Sequence, residues 1–163
     1  MLDELIHLPI VKSLHWSDET ATMVFAKGLA TQGLLGKAFI ELRGDLGAGK
    51  TTFVRHLLRA LGVEGRIKSP TYAVVEPYEL ANFDAWHFDF YRFQDPREAM
   101  DAGFRDIFAS PGLKLVEWPE KAAGALPTAD LVIDIEALAD ESRQVSLKAQ
   151  TPTGLALLRG SAP

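Results

Sequence analysis

Eight residues, Gly44-Asp45-Leu46-Gly47-Ala48-Gly49-Lys50-Thr51, restrict this chain more than anything else in it. They satisfy G-x-x-x-x-G-K-[ST], a pattern whose chemistry requires a strand before it and a helix after it. Ala38 to Leu42 is short and mostly apolar, as a buried strand is, and it stops at Gly44. Beyond the loop, Phe53, Val54, Leu57, Leu58 and Leu61 recur at helical spacing, and Gly62 supplies a stop. Glycines let successive N–H groups turn inward, so the loop becomes a concave anion nest on the positive end of a helix. In that nest Lys50 reaches the β- and γ-phosphates of a nucleotide, the Thr51 hydroxyl takes one place in an octahedral magnesium shell, and Thr52 adds a hydroxyl near the α-phosphate. The alternative is a glycine-rich turn that only links a strand to a helix. A chance match in a chain of this length has a probability on the order of one in a hundred, and the flanking strand and helix lower it further.

The loop identifies polyphosphate rather than a base. The only asparagine is Asn82, followed by Phe83, so a guanine-reading N-K-x-D motif is absent, as is a D-x-x-G switch motif. ATP is therefore the expected nucleotide. A net charge of -5 argues against a domain-wide grip on nucleic acid, which depends on Lys and Arg neutralising phosphates. Without cysteine there is no disulfide framework, thiolate nucleophile or Cys-based metal site. No apolar run approaches the length that spans a bilayer, and the opening MLDELIHLPI carries acids where a secretory signal carries basic residues. The expectation is one cytoplasmic domain over residues 1–163, with no internal repeat or linker.

The rest of the chain reads as alternating elements. Ser17-Asp18-Glu19 has the capping hydroxyl and acids of a helix start, with the helix running to about Leu29. Tyr72 to Tyr78 reads as extended, and Ala85 to Tyr91 sets Trp86, Phe88 and Phe90 against His87, Asp89 and Tyr91; the turn Ala81–Asp84 joins them as a hairpin. Asp95-Pro96-Arg97-Glu98 carries an N-cap, a first-turn proline and a glutamate placed for a capping box. Leu113 to Val116 is a second buried strand, running into Glu117-Trp118-Pro119, and Leu131–Glu136 with Val145–Ala149 form a second hairpin.

A phosphate loop needs a second acid for magnesium and a group that orients the attacking water. Glu117 ends an apolar strand, where open α/β sheets place ligand-binding residues; a solvent-facing strand-end glutamate fits the periodicity equally well. For Asp89, on the polar side of its strand, a solvated hairpin face is the simpler reading of the pattern alone. Arg92 is close enough in sequence to act as a charge stabiliser, although surface arginines are common.

GDLGAGKTT at 44–52, KSPTY at 68–72, VEPY at 75–78, HFDFYR at 87–92 and LVEWPE at 115–120 together resemble the TsaE (YjeE) family, in order and spacing, over nearly the whole chain. The resemblance implies an ATPase of bacterial threonylcarbamoyladenosine formation on tRNA, working with the TsaD–TsaB heterodimer. It implies an α/β P-loop NTPase-like three-layer sandwich, a central mixed sheet flanked by helices and β-hairpins. It also implies roles: Lys50 and Thr51 on phosphate and magnesium, Glu117 as the Walker B-like acid, Asp89 as the acid of the H-F-D motif, and Ser69-Pro70-Thr71 as a segment facing the γ-phosphate. Residues near Glu19 and Thr20 would approach the base, with Trp16 ahead of them a departure from the family pattern. Beside a partner-dependent ATPase stand two other readings, a nucleotide-sensing interaction module with little turnover and a small-molecule kinase. No lid is evident between Thr71 and Arg92 to favour the kinase.

Overall fold

The computed structural model describes residues 7–70 and 73–161. Seven strands form one mixed sheet: β1 (Ile10–Trp16), β2 (Phe39–Arg43), β3 (Val75–Glu79), β4 (Asp84–Asp89), β5 (Leu113–Glu117), β6 (Leu131–Ala137) and β7 (Arg143–Ala149). Their spatial order is β1-β7-β6-β2-β5-β4-β3. The inner four, β6, β2, β5 and β4, run parallel. Antiparallel partners close both sides, β7 and then β1 beside β6, and β3 beside β4. Both expected hairpins are therefore present. Pro77 has no N–H to give a ladder, and it lies in β3, an edge strand with a neighbour on one side only.

Alternation along the inner strands assigns side chains to two apolar layers. Ile40, Leu42, Leu113, Leu115, Leu131, Ile133 and Ile135 pack with Phe25 and Leu29 of α1 (Glu19–Ala30), Phe53, Leu57 and Leu58 of α2 (Lys50–Ala60) and Leu157 of α5 (Pro152–Gly160). Phe39, Phe88, Val116 and Val132 face the other way, under Ala99 of α3 (Arg97–Asp101) and Ile107 and Phe108 of α4 (Arg105–Ala109). Helices on both faces of a mostly parallel sheet make the three-layer α/β sandwich. Among the described residues, no helix is long and apolar enough to cross a membrane.

Local chemistry sets the helix ends. Asp18, rather than Ser17, caps α1, its carboxylate accepting the Ala21 N–H at 3.0 Å. Before α3, Glu98 returns to the Asp95 N–H at 3.2 Å, the glutamate limb of the expected capping box, while the Asp95 side chain accepts the Arg97 N–H at 2.9 Å in place of the Glu98 N–H. Strand β4 differs from its sequence reading. It ends at Asp89, and its His87 side faces not solvent but the layer holding α2, with His87 fully buried.

Candidate nucleotide and magnesium site

Strand β2 ends at Arg43 and α2 begins at Lys50, so the intervening glycine-rich residues form the tight link the motif requires. Gly44 has φ +146°, and a Cβ there would lie 2.4 Å from the Ile135 carbonyl oxygen of β6. Only glycine permits that approach of loop to sheet. Gly49 stands at the N-cap of α2 without a side-chain cap, leaving first-turn N–H groups for an anion. An aromatic cluster fixes the helix from behind: Phe53 packs 6.1 Å from Trp16 and 5.9 Å from Phe25, ring centre to centre.

The loop forms one wall of a cavity of about 520 Å³. Leu46, Gly47, Ala48, Gly49, Lys50, Thr51 and Thr52 line it on that side, and Ser69, Asp89, Glu117, Trp118 and Arg143 are among the residues opposite. Gly44 and Asp45 stand behind, their carbonyls accepting the Lys50 ammonium. Lys50 is buried, and desolvation lowers its pKa from the ordinary lysine value against the raising influence of Glu117 and other nearby acids.

Sheet order joins residues far apart in sequence. Because β5 lies between β2 and β4, Glu117 comes beside Leu42 on one side and Asp89 on the other, at the same end of the sheet as the loop. The Thr51 hydroxyl donates to Glu117 at 2.9 Å to Oε1 and 3.1 Å to Oε2. Glu117 is 2% exposed, so a solvent-facing strand-end glutamate is ruled out. Asp89 accepts the Ser69 hydroxyl at 3.1 Å and the Tyr91 N–H at 2.9 Å. Its pKa is raised, first by burial and also by the Glu117 charge, with those two hydrogen bonds opposing.

Thr51 and Glu117 offer hard oxygens in contact on the cavity wall, a donor set that fits magnesium. Among the described residues no group of three or more His, Asp or Glu side chains makes a metal cage. Thr71, expected near the γ-phosphate, lies outside the described residues. Glu19 and Thr20 do not line that first cavity. Glu19 borders a second cavity of about 310 Å³, which Ala48, Gly49 and Thr52 from the loop and the start of α2 line together with Trp16 and Thr22; outside it, the Glu19 carboxylate is in hydrogen-bond contact with His56 Nε2 at 2.9 Å. Thr20 lines neither of these two cavities.

Three features were not legible as site residues. Arg143 lines both cavities and donates Nε–H to the Ala48 carbonyl at 2.7 Å; as the first residue of an ordinary hairpin strand it carried no signal. Trp118 has left-handed backbone at φ 57°, ψ 49°, and its ring lies 3.9 Å from the Lys50 ammonium nitrogen. The Trp-Pro pair gave no sign of it, since a following proline favours extended backbone. His87 Nε2 lies 2.5 Å from Glu117 Oε2, in hydrogen-bond contact.

The family model described as "Threonylcarbamoyl adenosine biosynthesis protein TsaE" matches residues 16–145 of this sequence. The chain belongs to the TsaE family. The tRNA threonylcarbamoyladenosine biosynthesis protein TsaE of Haemophilus influenzae is 46% identical over 115 residues, 71% of this chain and 72% of that protein. The Bacillus subtilis TsaE is 33% identical over 141 residues, 85% of this chain and 87% of its own length. The crystal structure of Bacillus subtilis YdiB superposes with a TM-score of 0.78 at 27% identity, covering 94% of this chain and 95% of that one. At that coverage the likeness of this TsaE-family chain extends over nearly its whole length and not the phosphate loop alone.

Proposed function

We propose that this chain is a magnesium-dependent ATPase of the tRNA threonylcarbamoyladenosine system, acting with TsaD and TsaB to support their turnover. The observation that carries the reading is the Thr51–Glu117 contact, an acid from the end of a parallel strand meeting the loop hydroxyl at a helix N-terminus. Main-chain N–H groups of the loop hold the β-phosphate, and Lys50 swings from the Gly44 and Asp45 carbonyls onto the β- and γ-phosphate oxygens. Thr51 and Glu117 are the residues that would hold magnesium, which would supply positive charge against that developing on the phosphates. Asp89 sits beside Glu117 on the cavity wall, where it would orient the attacking water, and burial raises its pKa. Ser69 and the Tyr91 N–H fix its direction.

The posture of Lys50, folded onto loop carbonyls beneath the Trp118 ring, suits slow turnover by the chain alone. Partner binding then rearranges this side of the cavity, where Tyr91 is 47% exposed at the rim. Release of inorganic phosphate from Mg-ATP tests the proposal, measured for the chain alone and with TsaD and TsaB added. We expect a slow basal rate that rises with the partners. A rate indifferent to them contradicts the partnership, and a phosphorylated small molecule in place of free phosphate contradicts the ATPase.

A further inference from the structure

His87 is left without a task by this reading, yet its surroundings are unusual. The ring is fully buried, and its Nδ1 is the one buried side-chain nitrogen or oxygen among the described residues with no hydrogen-bond partner. Burying a ring nitrogen unpartnered costs stability, and an apolar side chain between Ala85 and the α2 layer would avoid that cost. The imidazole is therefore explained by its other nitrogen. A proton on Nδ1 would be buried with nothing to receive it, so the ring proton belongs on Nε2, 2.5 Å from Glu117 Oε2. The terminal torsion of a glutamate is soft, and a carboxylate held from one side only can turn. Glu117 is held from two sides, by the Thr51 hydroxyl, nearer Oε1, and by His87 at Oε2.

We propose that His87 is a positioning residue, which fixes the Glu117 carboxylate so that Oε1 stays directed at Thr51 and the magnesium shell is organised before nucleotide arrives. The inference rests on the reading of Thr51 and Glu117 as the magnesium side of the site. Outer partners that orient a metal-binding group contribute about 10- to 100-fold in metal affinity or activity. His87 should act on the magnesium requirement and not on nucleotide binding in its absence, because it does not itself line the cavity and reaches it through Glu117.

Calorimetric titration of ADP, with EDTA and then across a magnesium series, tests this with His87→Leu, His87→Gln and His87→Asn. The Gln amide reaches the carboxylate as a donor, the shorter Asn does not, and Leu has no donor. The expected result is unchanged affinity in EDTA for all three and a magnesium requirement raised about 10- to 100-fold in His87→Leu and His87→Asn, with His87→Gln close to wild type. Ring 15N shifts in the nucleotide-free wild type should show the Nε2-protonated tautomer. Should the Leu variant fail to fold, Gln against Asn decides alone. Equal magnesium requirements across the folded variants, or an Nδ1-protonated ring, would overturn the assignment. A wild type with no magnesium-dependent ADP binding would instead overturn the reading of the site on which it rests.

Discussion

Replacing Gly44 by alanine asks whether the loop is held against the sheet as described. The new Cβ would lie 2.4 Å from the Ile135 carbonyl oxygen and 3.0 Å from the Ala48 Cβ, on a backbone with φ +146°. Ile135 belongs to β6, paired with β2 and β7, so its carbonyl does not yield easily. Strained backbone of this kind costs about 1–3 kcal/mol, and overpacking against fixed atoms about 1–3 kcal/mol more. Gly47→Ala is the control: φ is +81°, but no heavy atom lies within 4 Å of the added carbon. It should cost only the backbone penalty, about 1–2 kcal/mol. For a chain of this size each kcal/mol moves Tm by about 2–4 °C. Thermal melts without nucleotide should place Gly44→Ala about 4–24 °C below wild type and clearly below Gly47→Ala. Coincident melts for the two variants would refute the close approach of loop to β6.

Other perturbations separate the parts of the site. Burial raises the Asp89 pKa, so the native state holds this proton more tightly than the unfolded chain does, and the stability so gained is present at low pH and lost as pH rises through the native pKa. Asp89→Asn keeps the Ser69 and Tyr91 partners without the charge, so it should melt above wild type at neutral pH while abolishing hydrolysis, and the difference should vanish on acidification; a constant difference across pH would refute the assigned cause. Arg143→Ala removes the 2.7 Å brace on the Ala48 carbonyl, and calorimetry should show ADP binding about 10-fold weaker, a loss of about 1.4 kcal/mol; unchanged binding would count against the brace. Phe53→Ala opens the cluster with Trp16 and Phe25 and should cost about 3–5 kcal/mol in urea unfolding; a loss below about 1 kcal/mol would contradict that packing.

What the sequence revealed, and what it concealed, follows from the range of the interactions. The loop was legible because inward-turned amides require glycines at fixed spacing, and α2 because its apolar positions repeat at helical period. Both hairpins were visible from alternation and from the turn at 81–84. Strand β1 was not, since Ile10 and Val11 are adjacent apolar residues and blur a period of two. Helix α5 was hidden by its own Gly154 in the first turn, a position where any Cβ would fall 1.7 Å from the Asp130 carbonyl oxygen. The Thr51–Glu117 pair spans 66 residues and exists because β5 lies next to β2, a neighbour relation no local pattern encodes. For the same reason Glu117 read equally well as solvent-facing, and His87 looked like a hairpin residue until the α2 layer was seen to cover it.

The account depends on the loop from Gly44 to Thr51 holding a magnesium nucleotide. Titration of ATP into the folded chain by calorimetry, with magnesium and with EDTA, and then into Lys50→Ala, measures this directly. It should show one saturable site, strengthened by magnesium and weakened about 10- to 100-fold by loss of the ammonium, as expected for a charged hydrogen bond of about 1.5–3 kcal/mol. No uptake by the wild type, or equal uptake by the variant, would contradict it.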